Sequence, residues 1–191
     1  MKKTRMTAAG VCAAVAIVCS GFPTAAPAAQ TPLKVEDVNA AQQAWCNALL
    51  SIAKAYATSG DYKSIAVDVL SNIYNYDYGI VLFNPTLTFG EQTFRLDKEG
   101  AAAYFIGGNP KYPNDEGFAL KPWVGCRYTN AGDNAGVLID GDFAATMGNV
   151  YLTDDKGAET VVDKLFVFRR GDDGKLRIIV HKSAIPNPVP K

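Results

Sequence analysis

The chain of 191 residues is poor in the groups from which most enzyme centres are built: it carries one histidine, four cysteines and no long apolar run beyond its N-terminal leader. A lone histidine, His181, cannot provide a three-imidazole zinc centre, and no group of cysteines stands at zinc-ligand spacing. The glycines form neither a phosphate loop nor a dinucleotide fingerprint, and no Gly-x-Ser-x-Gly elbow is present to expose a serine nucleophile. These absences argue against nucleotide chemistry of the common kinds and against a serine-hydrolase elbow, and neither a cofactor nor a metal is expected. An excess of charge is missing too. The 19 basic residues balance 19 acidic ones and form no basic stripe, so neither nucleic acid nor anionic lipid is an expected partner.

What is present begins with a leader. Met1, Lys2, Lys3 and Arg5 make a positive start, Ala8 to Phe22 is almost continuously apolar, and Ala26-Pro27-Ala28-Ala29 offers small residues to a signal peptidase. The apolar stretch is shorter than the ~20 residues that a bilayer-crossing helix needs. Val18 stands before Cys19 where lipid attachment favours a small residue, so cleavage near Ala29 is expected in place of a lipid anchor. Residues 1–29 therefore read as a signal peptide, and 30–191 as one domain with a loose proline-rich tail. The exported domain is expected in a periplasm or outside the cell, with no stable membrane contact. It leaves three basic residues behind in the leader and becomes slightly acidic. It keeps Cys46 and Cys126, which form either a disulfide or two buried thiols.

From Val35 to Thr58, apolar residues recur at three- and four-residue intervals (Val38, Ala41, Trp45, Leu49, Ile52, Tyr56), which predicts a helix with one apolar face. Ser59-Gly60 ends it, and a second helix from Asp61 is expected to bury Ile65, Val69 and Ile73. The period turns strand-like from Tyr78 through Phe83, and Pro85 ends or bends that strand because it cannot donate to a ladder. Asp97 to Gly100 opens a short helix that runs to Phe105 and stops at Gly107-Gly108. Strand runs follow at 119–130, 136–140, 143–153 and 159–169, and the hairpin signal Gly171-Asp172-Asp173-Gly174 leads into a last one at 175–183. Helices followed by an antiparallel meander predict an α+β domain. Its expected shape is a cone-shaped half-barrel, with the N-terminal helices packed on the concave face of a curved antiparallel sheet.

In the last run, strict alternation places Arg177, Ile179, His181 and Ser183 on one face, and Ile178, Val180, Lys182 and Ala184 on the other. Thr86, after Pro85, and Tyr104, on the short helix, are further polar groups set where the chain turns beside apolar runs. Each candidate has a plain structural alternative: His181 as a hydrogen-bonded framework residue, Thr86 as a group satisfying the bend, Tyr104 as a core aromatic. Gly107-Gly108 and Gly148 read more simply as turn and bulge positions than as close approaches to a ligand.

A longer pattern joins these residues. Phe83-Asn84-Pro85-Thr86, Phe94-Arg95-Leu96, Lys98-Glu99-Gly100-Ala101 and Tyr104-Phe105-Ile106-Gly107-Gly108 are followed by Asp115-Glu116-Gly117-Phe118-Ala119-Leu120, Pro122-Trp123, Met147-Gly148-Asn149 and His181-Lys182-Ser183-Ala184-Ile185-Pro186. In order and spacing they resemble the iota-class carbonic anhydrases over roughly Tyr78 to Asn187. That family is similar to the association domain of calmodulin-dependent kinases and to the wider cystatin-like, nuclear-transport-factor-like (NTF2-like) cone fold. The resemblance implies reversible hydration of carbon dioxide to bicarbonate, in one branch without a metal, and a homodimer. It implies pocket roles for Thr86, Tyr104 and Ser183, with His181 beside them. The family's terminal pattern His-His-Ser-Ser-Leu-Pro differs here, since Lys182 replaces a histidine and Ala184 a serine. Alternation puts both replacements opposite His181 and Ser183. A non-catalytic module that binds a small polar ligand, or that assembles through its sheet, is the alternative reading.

Overall fold

A computed structural model describes residues 31–187; the expected leader, residues 1–29, and the last four residues of the tail lie outside the described part. The first helix, α1 (Val35–Ala57), starts where the side chain of Asp37 accepts the Lys34 backbone N–H at 2.9 Å, with Glu36 and Asp37 at the positive end of the helix dipole. Its buried stripe is Val38, Gln42, Trp45, Cys46, Leu49, Ile52 and Ala53. Asp61 caps α2 (Tyr62–Asn72) by accepting the Ser64 N–H. The buried line of α2 is Ala66 and Leu70, with the expected Ile65, Val69 and Ile73 only half-buried around it. The buried stripe is thus displaced by one residue from the expected one. Among the described residues no helix is long and apolar enough to cross a membrane.

The first strand is shorter than expected, β1 (Leu82–Asn84), because Tyr78 and Gly79 are spent on a turn that closes on Asn75. After it come α3 (Lys98–Ile106), β2 (Trp123–Asn130), β3 (Val137–Asp140), β4 (Phe143–Asp154), β5 (Glu159–Arg170) and β6 (Leu176–Ala184). Ala119 and Leu120, expected to open β2, belong instead to a 3-10 turn, Phe118–Leu120. Asp97 caps α3 through the Gly100 N–H at 2.7 Å, and Gly107, at φ 62°, ends it in the left-handed region where a side chain is strained.

The sheet order is β1-β6-β5-β4-β2, with β3 beside β2 on the same edge of β4. The expected wholly antiparallel sheet is corrected by one pairing: β1 runs parallel to β6, with Phe83 opposite His181. No hairpin joins these two strands: α3 and the four strands β2 to β5 lie between them in the chain. A second correction concerns the faces of β6. Val167 pairs with Val180 but Phe168 with Ile178, so Ile179 is an extra residue in a β-bulge. The bulge shifts the phase, and Ile178 turns inward with His181 and Ser183 in place of Ile179. The α+β architecture is otherwise as expected, with α1 lying across the sheet and tied to β2 by a disulfide between Cys46 and Cys126, Cα atoms 5.3 Å apart.

Candidate functional site

On β5 the inward positions are Val162, Lys164, Phe166 and Phe168, all buried. A lysine therefore stands in an apolar row, where only a special environment makes it tolerable. Its Nζ lies 2.9 Å from His181 Nε2 and 2.7 Å from Ser183 Oγ on the neighbouring strand, and 4.6 Å from the centre of the Trp45 ring. Among the described residues no carboxylate pairs with it. Burial without a counter-charge pulls the Lys164 pKa down from 10.5 to about 7.

His181 is 1 % exposed and sits in an aromatic box: Phe83 stacks on it at 4.4 Å, Phe166 lies tilted against it at 4.7 Å and Trp45 meets it edge-on at 5.7 Å. Its Nε2 lies 2.9 Å from Ser183 Oγ, and its Nδ1 lies 2.9 Å from the Tyr74 hydroxyl, which accepts the Trp45 indole N–H at 2.8 Å. Burial, reinforced by the nearby Lys164, holds the imidazole well below its ordinary pKa. Tyr74 is placed by the chain after α2, which bridges β6 at Ile178 and so sets the phenol behind the imidazole.

Thr86 and Tyr104 form a second pair. Tyr104 is buried on α3 with its hydroxyl against Thr86 and the backbone of Leu87, and burial pushes its pKa well above 10. Thr86 Oγ1 is buried and has no partner of hydrogen-bond geometry. Beside Tyr104 opens a cavity of about 170 Å³ lined by Leu87, Phe89, Asp115, Gly117, Phe118 and Lys121 among others. Its Asp115 wall is held from behind by Arg95, whose Nη2 reaches both carboxylate oxygens at 2.9 and 3.0 Å. A larger cavity of about 450 Å³, between α1 and the β5–β6 hairpin, contains none of the four expected residues.

The structure thus joins His181 to Ser183 directly and sets Thr86 against Tyr104. Phe83 stands between the two pairs, its ring 4.4 Å from His181 and 5.6 Å from Tyr104. Among the described residues no hydrogen bond links one pair to the other. Of the replaced positions, Lys182 points to solvent and donates to the Ser183 carbonyl at 2.9 Å, while Ala184 is half-buried. Sequence reasoning missed Trp45, Tyr74 and Lys164. The one legible signal among them was Lys164, a charged residue in phase with Val162, Phe166 and Phe168.

Residues 36–185 match the sequence family of metal-independent carbonic anhydrases. The chain belongs to that family. A metal-independent carbonic anhydrase from Nostoc sp. (strain PCC 7120) is 42% identical over 162 residues, 84% of this chain and 77% of that protein. The crystal structure of a cyanobacterial iota-carbonic anhydrase in complex with bicarbonate superposes with a TM-score of 0.78 at 42% identity, over 83% of this chain and 95% of that one. A calcium/calmodulin-dependent protein kinase II association domain from Xanthomonas campestris, 23% identical, aligns with a TM-score of 0.52 over 82% of this chain and 91% of that one. That last likeness shows the fold alone. Among the described residues, no three histidine, cysteine, aspartate or glutamate side chains gather as a metal site would require.

Proposed function

We propose that this member of the family hydrates carbon dioxide reversibly to bicarbonate at the groups around Phe83, with Ser183, Thr86 and Tyr104 holding the attacking water and the bicarbonate oxygens. The observation that carries the reading is the likeness, at 42% identity, to a structure that holds bicarbonate. Ser183 supports it from within the chain: its hydroxyl is pinned by two nitrogens, so its orientation is set before substrate arrives. The Thr86 Oγ1, which has no partner of hydrogen-bond geometry, and the Tyr104 hydroxyl supply further polar contacts on the other side of Phe83. His181 orients Ser183 in this scheme and does not carry the proton, because burial holds it neutral at working pH.

We place the working enzyme in a periplasm or outside the cell, a reading supported by the leader pattern and by a disulfide that an oxidising compartment preserves. A homodimer formed through the outer face of the sheet, where Leu138 and Met147 are exposed, is the expected assembly. Stopped-flow hydration by the mature protein tests the activity. The rate should survive a chelator and fall about a hundredfold in Ser183→Ala, the usual scale for a lost stabilising hydroxyl or amide. No hydration above buffer at micromolar protein would leave a small-ligand-binding module in its place.

A further inference from the structure

Building on that reading, we infer that Lys164 is the group behind Ser183 that takes the proton released in hydration, working as a neutral amine at the end of a hydrogen-bond circuit whose direction is set by Trp45.

The direction follows from donor and acceptor counts. An indole N–H only donates, so the Tyr74 oxygen is the acceptor from Trp45. The phenol proton then goes to His181 Nδ1, which makes Nδ1 the acceptor nitrogen and puts the proton of the neutral imidazole on Nε2. That N–H donates to Ser183 Oγ, and the remaining Ser183 proton finds its acceptor in the Lys164 lone pair at 2.7 Å. Every member has a partner only while Lys164 is neutral. A charged ammonium would face the His181 N–H donor to donor across 2.9 Å. To avoid that, the imidazole would have to move its proton to Nδ1, and the Tyr74 hydroxyl would lose its acceptor in a wholly buried place. Protonation of Lys164 is therefore tied to the tautomer of His181.

The groups that face the amine agree. Trp45 approaches it from α1, Phe166 lies beside it on β5, and His181 and Ser183 lie on β6. From β2, the Tyr128 hydroxyl bonds the Lys164 carbonyl and the Thr146 hydroxyl of β4. Its pKa is pushed up by burial to about 12, so it brings no negative charge. A buried amine with no anion near it is a base strong enough to accept a proton close to neutrality.

The step balances as follows. One O–H bond of the water breaks as its oxygen bonds the carbon of carbon dioxide. That proton passes to Ser183 Oγ while the Ser183 proton moves to Lys164 Nζ, leaving bicarbonate and an ammonium. After bicarbonate departs, the ammonium returns its proton through Ser183 to water or buffer. Lys164 acts through Ser183, so it positions and holds the proton without touching the substrate.

Two readouts test this. The protein has a single histidine, so nitrogen-15 spectra of the imidazole report one tautomer without ambiguity. With no substrate present, we expect the Nε2–H form above neutral pH and a switch toward Nδ1–H as pH falls through neutrality, whereas an imidazolium there would make His181 the proton acceptor and overturn the role of Lys164. The switch should be absent in Lys164→Met. In stopped flow, wild-type hydration should rise with pH through neutrality and dehydration of bicarbonate should fall. Lys164→Gln, which keeps an acceptor for Ser183 but cannot store a proton, should lose about a hundredfold in kcat together with that inflection. An Nδ1–H imidazole throughout, or a folded Lys164→Gln with the wild-type rate and pH profile, overturns the inference and leaves the hydration reading standing. A wild-type protein that does not hydrate carbon dioxide overturns that reading and the role of Lys164 within it. The spectra then judge the circuit on their own.

Discussion

The two halves of the candidate site are built from the same materials and finished differently. Around His181, the Trp45 indole, the Tyr74 hydroxyl, both imidazole nitrogens, the Lys164 amine and the Ser183 hydroxyl all have partners. Around Tyr104, the Thr86 hydroxyl is buried against the Tyr104 hydroxyl and has no partner of good hydrogen-bond geometry. A saturated network fixes geometry and gains little from a newcomer. An unpartnered buried hydroxyl costs about 1–3 kcal/mol and regains it only when a polar group arrives. On the proposed function the first half is the preset machinery and the second is where a bicarbonate oxygen is received.

The saturated half should be the more fragile of the two. Cys46 follows Trp45 on α1, and its disulfide to β2 holds the indole over Tyr74. Replacing both cysteines by serine should lower stability by about 4 kcal/mol, as expected for opening a loop of this length. The unfolding midpoint should drop by about 10 °C. Protection of the Trp45 indole proton from exchange should fall with it, while the Thr86 and Tyr104 side changes less. Equal loosening of both halves would erase the distinction drawn between them.

A smaller effect, of the opposite sign, should come from Lys164→Met. Between about 7 and 10.5 the folded chain binds fewer protons at this residue than the unfolded chain, so wild-type stability should rise with pH across that window. The full cost of the buried charge is present below about pH 7. Lys164→Met should remove the slope and gain roughly 3 kcal/mol at pH 6, the lost contact with Ser183 offsetting part of the ~1.4 kcal/mol per pKa unit. The slope is read by chemical denaturation between pH 7 and 9, above the range in which His181, held below its ordinary pKa, adds a slope of the same sign, and before the buried tyrosines, Tyr74 and Tyr104, begin to oppose it. A wild-type stability flat over that range would mean that the amine is not neutral.

Most of the fold was legible because it obeys local rules. The period of Val38 to Ile52, the caps at Asp61 and Asp97 and the hairpin at Gly171 to Gly174 each act within a few residues. What escaped is non-local. The parallel pairing of β1 with β6 joins segments on either side of most of the sheet, and the bulge at Ile179 is defined only by its partner strand. The same divide runs through the site. His181, Ser183, Thr86 and Tyr104 could be picked out on motifs and on positions at strand ends and bends. Tyr74 gains its place only when the chain after α2 docks on β6, and Lys164 its meaning only when β5 lies against β6.

Thr86→Val is the mildest and sharpest way to separate the halves. Valine keeps the shape and removes a hydroxyl whose neighbour, the Tyr104 hydroxyl, is out of good hydrogen-bond geometry, so the folded state should lose little and gain up to about 1 kcal/mol. On the proposed function hydration should nevertheless fall, by about tenfold, with bicarbonate saturation weakened more than turnover, because there the lost group would meet the product oxygen and take no part in the proton circuit. The pH at which activity inflects should stay where Lys164 sets it. A Thr86→Val protein that lost stability instead would show that the hydroxyl belongs to the framework, and the contrast between a finished and an unfinished half would fail at its weaker side.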